Sequence, residues 1–151
     1  MKIYRLALTE YCDASGEGAR LYGGRWNLPG FPVLYGSSSI ASSLLERLTI
    51  DSELFSSERY VLYSIMEITI PDTKVYIPPF EKLPEKWDAI PPMRISQEYG
   101  TNLLKQGLLC FAVPSVVDRT SLNYIVNPLA EDFQLVSYKV YSLSLDQRII
   151  R

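Results

Sequence analysis

Five of the chain's eight glycines fall between Ser15 and Gly30 (Gly16, Gly18, Gly23, Gly24 and Gly30), and no stretch so interrupted stays regular for long. The stretch is longer than a mere connection between two elements needs. Whatever folds around it must therefore give this loop something to do or something to lean on. At its centre stands Gly23-Gly24-Arg25-Trp26-Asn27, a segment able to bring backbone amides and a guanidinium close to a ligand. Diphosphate is the natural match for such a loop. Read by spacing alone, the same residues also describe a glycine-rich loop with a packed Trp26 and a surface Arg25, because glycine patterns are weak motifs.

Around the loop, short elements are readable. Met1 to Leu8 and Phe31 to Gly36 read as strands. Ser37-Ser38-Ser39 supplies capping hydroxyls for a helix whose Ile40, Ala41, Leu44, Leu45 and Leu48 recur at helical spacing. Tyr60 to Ile70 is rich in β-branched and aromatic residues and closes at Pro71-Asp72, and Lys74 to Ile77 reads as a further short strand. Pro78 to Pro92 should be an irregular excursion. A helix over Ile95 to Gln106 ends at Gly107, a buried strand runs from Leu108 to Val113, Asn127-Pro128 marks a turn, and an alternating strand follows from Phe133 to Leu143. Strands dominate with at least two helices, which predicts an α+β class.

At 151 residues and 47% hydrophobic content, the chain suits one domain, 1-151, with one real core. Its net charge of −2 gives no basic excess with which to neutralise a phosphate backbone, so direct nucleic-acid binding is not expected. Cys12 and Cys110 show no paired spacing, which points to a reducing compartment and no disulfide framework. No run approaches the roughly 18 apolar residues of a spanning helix, so a cytoplasmic protein without membrane contact is expected. The sequence holds 0 histidines, which removes Ser-His-Asp triads, Cys-His dyads and histidine-bearing zinc sites. Chemistry must run on carboxylate, hydroxyl and guanidinium groups, without metal.

Among those groups, Glu46 is the only acid between Glu17 and Asp51, and it sits within an apolar helix. A carboxylate so placed can stabilise an oxocarbenium-like ribosyl cation, or it can be an exposed residue paired with Arg47 or Arg20. Arg5 interrupts a strand, facing either solvent or a cleft. Tyr35 ends an apolar strand at a glycine, where its ring either stacks on a flat heterocycle or joins the core. Ser115, after Pro114, either points its hydroxyl at a ligand or serves as a turn or N-cap serine.

Taken in order, Tyr4-Arg5, Ser15-Gly16-Glu17-Gly18-Ala19-Arg20, Gly23-Gly24-Arg25-Trp26-Asn27, Val33-Leu34-Tyr35, Leu44-Leu45-Glu46, Val113-Pro114-Ser115 and Asn127-Pro128 resemble the RES-domain family, named for an arginine, a glutamate and a serine. The resemblance runs from Tyr4 to about Arg148. It implies a single compact domain with a mixed sheet core and flanking helices, similar to the ADP-ribosyltransferase fold. It implies NAD as substrate, with Glu46, Ser115 and Arg5 as catalytic residues and Arg25, Tyr35, Trp26, Asn27 and Asn127 around the cofactor. It also implies a toxin of a two-gene system whose cognate partner is an Xre-type DNA-binding antitoxin. Where many relatives carry histidines this chain has Ile50-Asp51 and Leu129, and Gly100-Thr101-Asn102-Leu103 replaces a Gly-Asp-x-Trp segment.

Three functions follow as expectations. The first is cleavage of the nicotinamide–ribose bond with water or phosphate as acceptor, with Arg5 and Arg25 holding diphosphate and Ser115 holding nicotinamide or ribose. The second is transfer of ADP-ribose to a host protein. The third is a non-catalytic binding module, against which the presence of Arg5, Glu46 and Ser115 together argues.

Overall fold

A computed structural model describes residues 1–151. Seven strands form one mixed sheet: β1 Lys2–Leu8, β2 Leu34–Ser37, β3 Tyr63–Thr69, β4 Val75–Tyr76, β5 Cys110–Pro114, β6 Leu122–Val126 and β7 Ser137–Ser142, in the order β4-β5-β6-β2-β1-β3-β7. Only β4 and β5 run parallel. Three helices accompany them, α1 Glu17–Tyr22, α2 Ile40–Leu48 and α3 Arg94–Lys105, so the class is α+β.

Alternation along the strands sorts the apolar residues onto two faces. Ile3 and Ala7 of β1, Met66 and Ile68 of β3, Cys110 and Ala112 of β5, and Tyr124 and Val126 of β6 share the largest core cluster. The opposite face is divided. Over β1 and β3, Leu6, Tyr63 and Ile65 meet Leu44 of α2. Over β5 and β6, Phe111, Val113 and Ile125 meet Trp26, Trp87 and Leu104 of α3. The glycine-rich loop is therefore one of the layers that cover the sheet.

The two halves of the sheet meet at one seam. β1 pairs with β3 through seven consecutive residues, from Lys2↔Thr69 to Leu8↔Tyr63, and β2 pairs with β6 through four. Between β1 and β2, the register consists of Tyr4↔Ser37 alone. Past that pair the strands part, and a cleft opens between Arg5 to Leu8 on one side and Tyr35 to Gly36 on the other.

Local signals account for most boundaries. Ser39 caps α2, its hydroxyl accepting from the Ser42 N–H at 3.0 Å. The strand expected from Phe31 starts only at Leu34. The one expected from Tyr60 begins at Tyr63 after a 3-10 turn, and the one expected from Phe133 is preceded by a 3-10 segment Glu131–Leu135. Two elements go beyond the sequence reading: α1 inside the glycine-rich stretch, and β6, a central strand whose Leu122, Tyr124 and Val126 alternate around Asn123. No helix is long and apolar enough to cross a membrane.

α3 reaches the loop by backbone contact. A Cβ on Gly100 would lie 1.9 Å from the Trp26 carbonyl oxygen, so only glycine lets the helix approach this closely. Gly100→Ala should therefore cost at least about 3 kcal/mol, beyond ordinary overpacking, because backbone rather than a movable side chain is struck. Urea unfolding followed by tryptophan emission measures it. A cost below 1 kcal/mol would mean that α3 and the loop shift freely.

Candidate active site

The cleft beneath the seam has a volume of about 920 Å³ and is lined by β1, α1, the glycine-rich loop, β2, α2 and Asn123 of β6. Its loop wall is built by Asn27, which is completely buried. The Asn27 amide nitrogen donates to the carbonyls of Ala19, Phe31 and Leu28 at 2.9, 3.0 and 3.2 Å. Its Oδ1 accepts the Tyr35 hydroxyl at 2.6 Å, and that hydroxyl accepts the Trp26 N–H at 3.1 Å. From α3, Gln97 donates to the Gly24 carbonyl at 3.0 Å, and Thr101 Oγ1 accepts the Leu28 N–H at 2.9 Å. Gly24 is required here as well, since a Cβ would stand 2.6 Å from the Tyr35 hydroxyl oxygen.

These bonds and their surroundings bear on four of the expected site residues. Trp26, 2% exposed, borders the cleft but packs its ring against Trp87, Tyr99 and Phe111. Asn27 has its donors and acceptor directed at the protein itself. Asn127, expected near the cofactor, lies outside the cleft: its amide donates to Leu104 and Leu108 carbonyls at 3.1 Å each, and its Oδ1 accepts the Leu129 N–H. Tyr35 lines the cleft with its ring, but its hydroxyl is occupied in the loop, and burial pushes its pKa up.

Glu46 faces the cleft from α2. Its Oε1 accepts from the Ser115 hydroxyl at 2.6 Å and from the Asn123 amide at 2.7 Å. Neither Arg47 nor Arg20 pairs with it; Arg20 binds Glu17. Ser115, 2% exposed, also accepts the N–H groups of Val117 and Asp118 at 3.0 Å each. With its proton on Glu46 and both lone pairs engaged, this hydroxyl has nothing left for a substrate. Ser115 is thus a positioning residue for Glu46. Asn123, absent from the sequence reading, shares that role; its only sequence signal is a polar residue interrupting an apolar strand.

The cations are arranged differently from one another. Arg25 Nη1 donates to the Trp87 and Ala89 carbonyls at 2.9 and 2.7 Å; burial lowers its pKa, and Glu46 is close enough to raise it again. Arg5 sits between Ile3 and Ala7 on the inward face of β1, opposite Met66, with no protein hydrogen bond. Burial depresses its pKa, opposed by Cys12 and Asp13 and reinforced by Arg47. No group of three or more carboxylates and cysteines lies together to hold a metal ion.

The RES domain family matches residues 2–147. This chain belongs to that family. The RES domain is 31% identical over 158 residues to "Toxin Res" of Photorhabdus laumondii, covering 100% of this chain and 98% of the relative. It is 34% identical to the "Prs ADP-ribosylating toxin" of a Sphingobium species, covering 92% of this chain and 88% of the relative. Among solved structures, the M. tuberculosis MbcT-MbcA toxin-antitoxin complex contains a chain that matches with a TM-score of 0.68 at 18% identity, over 95% of this chain and 84% of that one. At that identity the likeness is one of fold.

Behind the RES cleft lies an ionic cluster. The Tyr63 hydroxyl and Arg59 Nε both bind Asp51 Oδ2, at 2.5 and 2.6 Å, and together hold the Asp51 carboxyl below its ordinary range. Its folded pKa lies below the unfolded value of about 3.9, so its contribution to stability is complete above that value and is lost as pH falls through the folded one. The stability difference between wild type and Asp51→Asn should stay constant from neutral pH to about 5 and close below about 4. Chemical denaturation at several pH values checks this; a gap that persisted at acid pH would assign the effect to packing. At the loop, Tyr35→Phe leaves two buried partners unpaired and should cost about 1–3 kcal/mol in urea unfolding. An unchanged midpoint would show that the hydroxyl is dispensable.

Proposed function

We propose that this RES domain is an NAD-consuming toxin that breaks the bond between nicotinamide and ribose. The observation that carries the reading is Glu46: one carboxylate oxygen is fixed by Ser115 and Asn123, while the other has no protein partner, at a cleft lined by Arg5, Arg25 and Arg47. Cleavage sends nicotinamide away with the electron pair of the ribose C1′–N bond and leaves an oxocarbenium-like cation. A carboxylate oriented before that charge appears needs no reorganisation when it does. Water or phosphate then donates a pair to C1′ and loses its proton. Arg5 holds the diphosphate, Arg25 keeps its remaining N–H groups for the substrate near Glu46, and the ring of Tyr35 forms the aromatic wall.

A second reading is transfer of ADP-ribose to a host protein, favoured by the Sphingobium relative, whose name describes ADP-ribosylation. The fate of label from NAD separates the two, as a modified macromolecule or as small products only. The partner we propose is an Xre-type DNA-binding antitoxin acting with the toxin in the cytoplasm. Two features support a covering partner: a solved structural neighbour is part of a toxin-antitoxin complex, and exposed Tyr11, Leu21, Tyr22 and Ile50 line the cleft. With a net charge of −2, operator binding falls to that partner.

Nicotinamide release by the purified protein tests the activity. Glu46→Gln keeps the shape of the side chain and should lower turnover by about 100-fold or more with little change in NAD affinity. Equal loss of both would make Glu46 a binding residue, and a wild-type protein that releases no nicotinamide and labels no macromolecule would overturn the proposal.

A further inference from the structure

Glu46 and Arg47 are neighbours on α2, yet they are held from opposite sides of the seam. Glu46 is tied to Asn123 of β6, whereas Arg47 Nε donates to the hydroxyl of Tyr63, the first residue of β3, at 3.0 Å. Tyr63 is 1% exposed, and the Arg47 guanidinium lies 5.3 Å from its ring centroid. The nearby carboxylate, Asp51, is engaged by Arg59 and by the Tyr63 hydroxyl, so Arg47 makes no ion pair of its own. Arg47 lines the cleft, as does Arg5, and beyond Nε its guanidinium has no hydrogen-bond partner in the protein.

Two guanidinium groups thus line the same cleft without a carboxylate bonded to either. Arg47 is near enough to Arg5 to press its pKa down, a repulsion that a dianionic ligand would relieve. Asp13 also lies near Arg5, but its Oδ1 accepts both the hydroxyl and the N–H of Ser15. Arg25 differs, with Nη1 on two carbonyls and Glu46 as the acid that acts on it most strongly.

We propose that Arg5 and Arg47 together form a phosphoryl-binding end of the cleft that takes the diphosphate of its substrate, with Tyr63 positioning Arg47. The assignment to a dinucleotide rests on the NAD reading above; the two-guanidinium site itself does not. The cleft then has a polarity across its seam, with anion-binding forks on the β1–β3 side and the cation-stabilising carboxylate on the β2–β6 side. Planar forks suit phosphoryl oxygens in a way that an ammonium does not.

Calorimetric titration with inorganic pyrophosphate, ADP-ribose and adenosine tests this. Arg47→Gln should weaken pyrophosphate and ADP-ribose by about tenfold or more and leave adenosine unchanged. Arg47→Lys, which keeps the charge and the stem, serves if the glutamine variant does not fold, and should still bind pyrophosphate more weakly. Tyr63→Phe should raise the KM for NAD while kcat is retained. Wild-type affinity for pyrophosphate in folded Arg47→Gln, or no pyrophosphate binding by the wild type, overturns the site. If NAD is cleaved with an unchanged KM in Arg47→Gln, the site fails and the NAD reading stands; if pyrophosphate binds through Arg47 but NAD is neither bound nor cleaved, the reverse holds.

Discussion

One pair of residues, Tyr4 and Ser37, joins the two halves of the sheet, and the cleft exists because the pairing stops there. Had β1 and β2 continued in register as β1 and β3 do, their backbone groups would have closed the space between them. The parted strands leave polar backbone and an inward-facing arginine that a continuous sheet would have excluded. Each half carries its own apolar layer on the outer face, and the two share the central one. Both walls of the cleft are therefore backed by packed core.

Several polar side chains around the cleft act at one remove. Ser115 and Asn123 fix Glu46; Asn27 fixes Tyr35 and the loop; Trp87 and Ala89 hold Arg25 through their carbonyls. No buried side-chain nitrogen or oxygen lacks a partner. A cleft built in this way has its charged groups aimed before any ligand arrives, which is where electrostatic stabilisation draws its strength.

Much of this was legible in the sequence where the signal is local. The Ser39 cap and the spacing from Ile40 to Leu48 define α2, and Gly107 follows α3 as its pattern requires. β6 was not legible because it is only five residues long and sets polar Asn123 on the same face as apolar Ile125. The direction of a polar side chain was also hidden. An asparagine in a loop or turn reads the same whether it meets a ligand or the protein's own backbone, and Asn27 and Asn127 do the latter. The hydroxyl of Ser115 meets a partner 69 residues away, and only the folded sheet brings them together. The family resemblance singled out Glu46, Ser115 and Arg5, and the fold sets Ser115 against Glu46 by a hydrogen bond and Arg5 on the cleft lining.

The saturated bonding of Asn27 has a genetic consequence. In a screen for variants that have lost activity, substitutions at Asn27, Tyr35, Gly24 and Gly100 would be recovered alongside those at the acid itself, because the loop wall collapses without them. Their proteins would be scarce in the cell, whereas Glu46 variants would accumulate. Abundance, measured beside phenotype, would sort the map of inactive alleles into scaffold and chemistry.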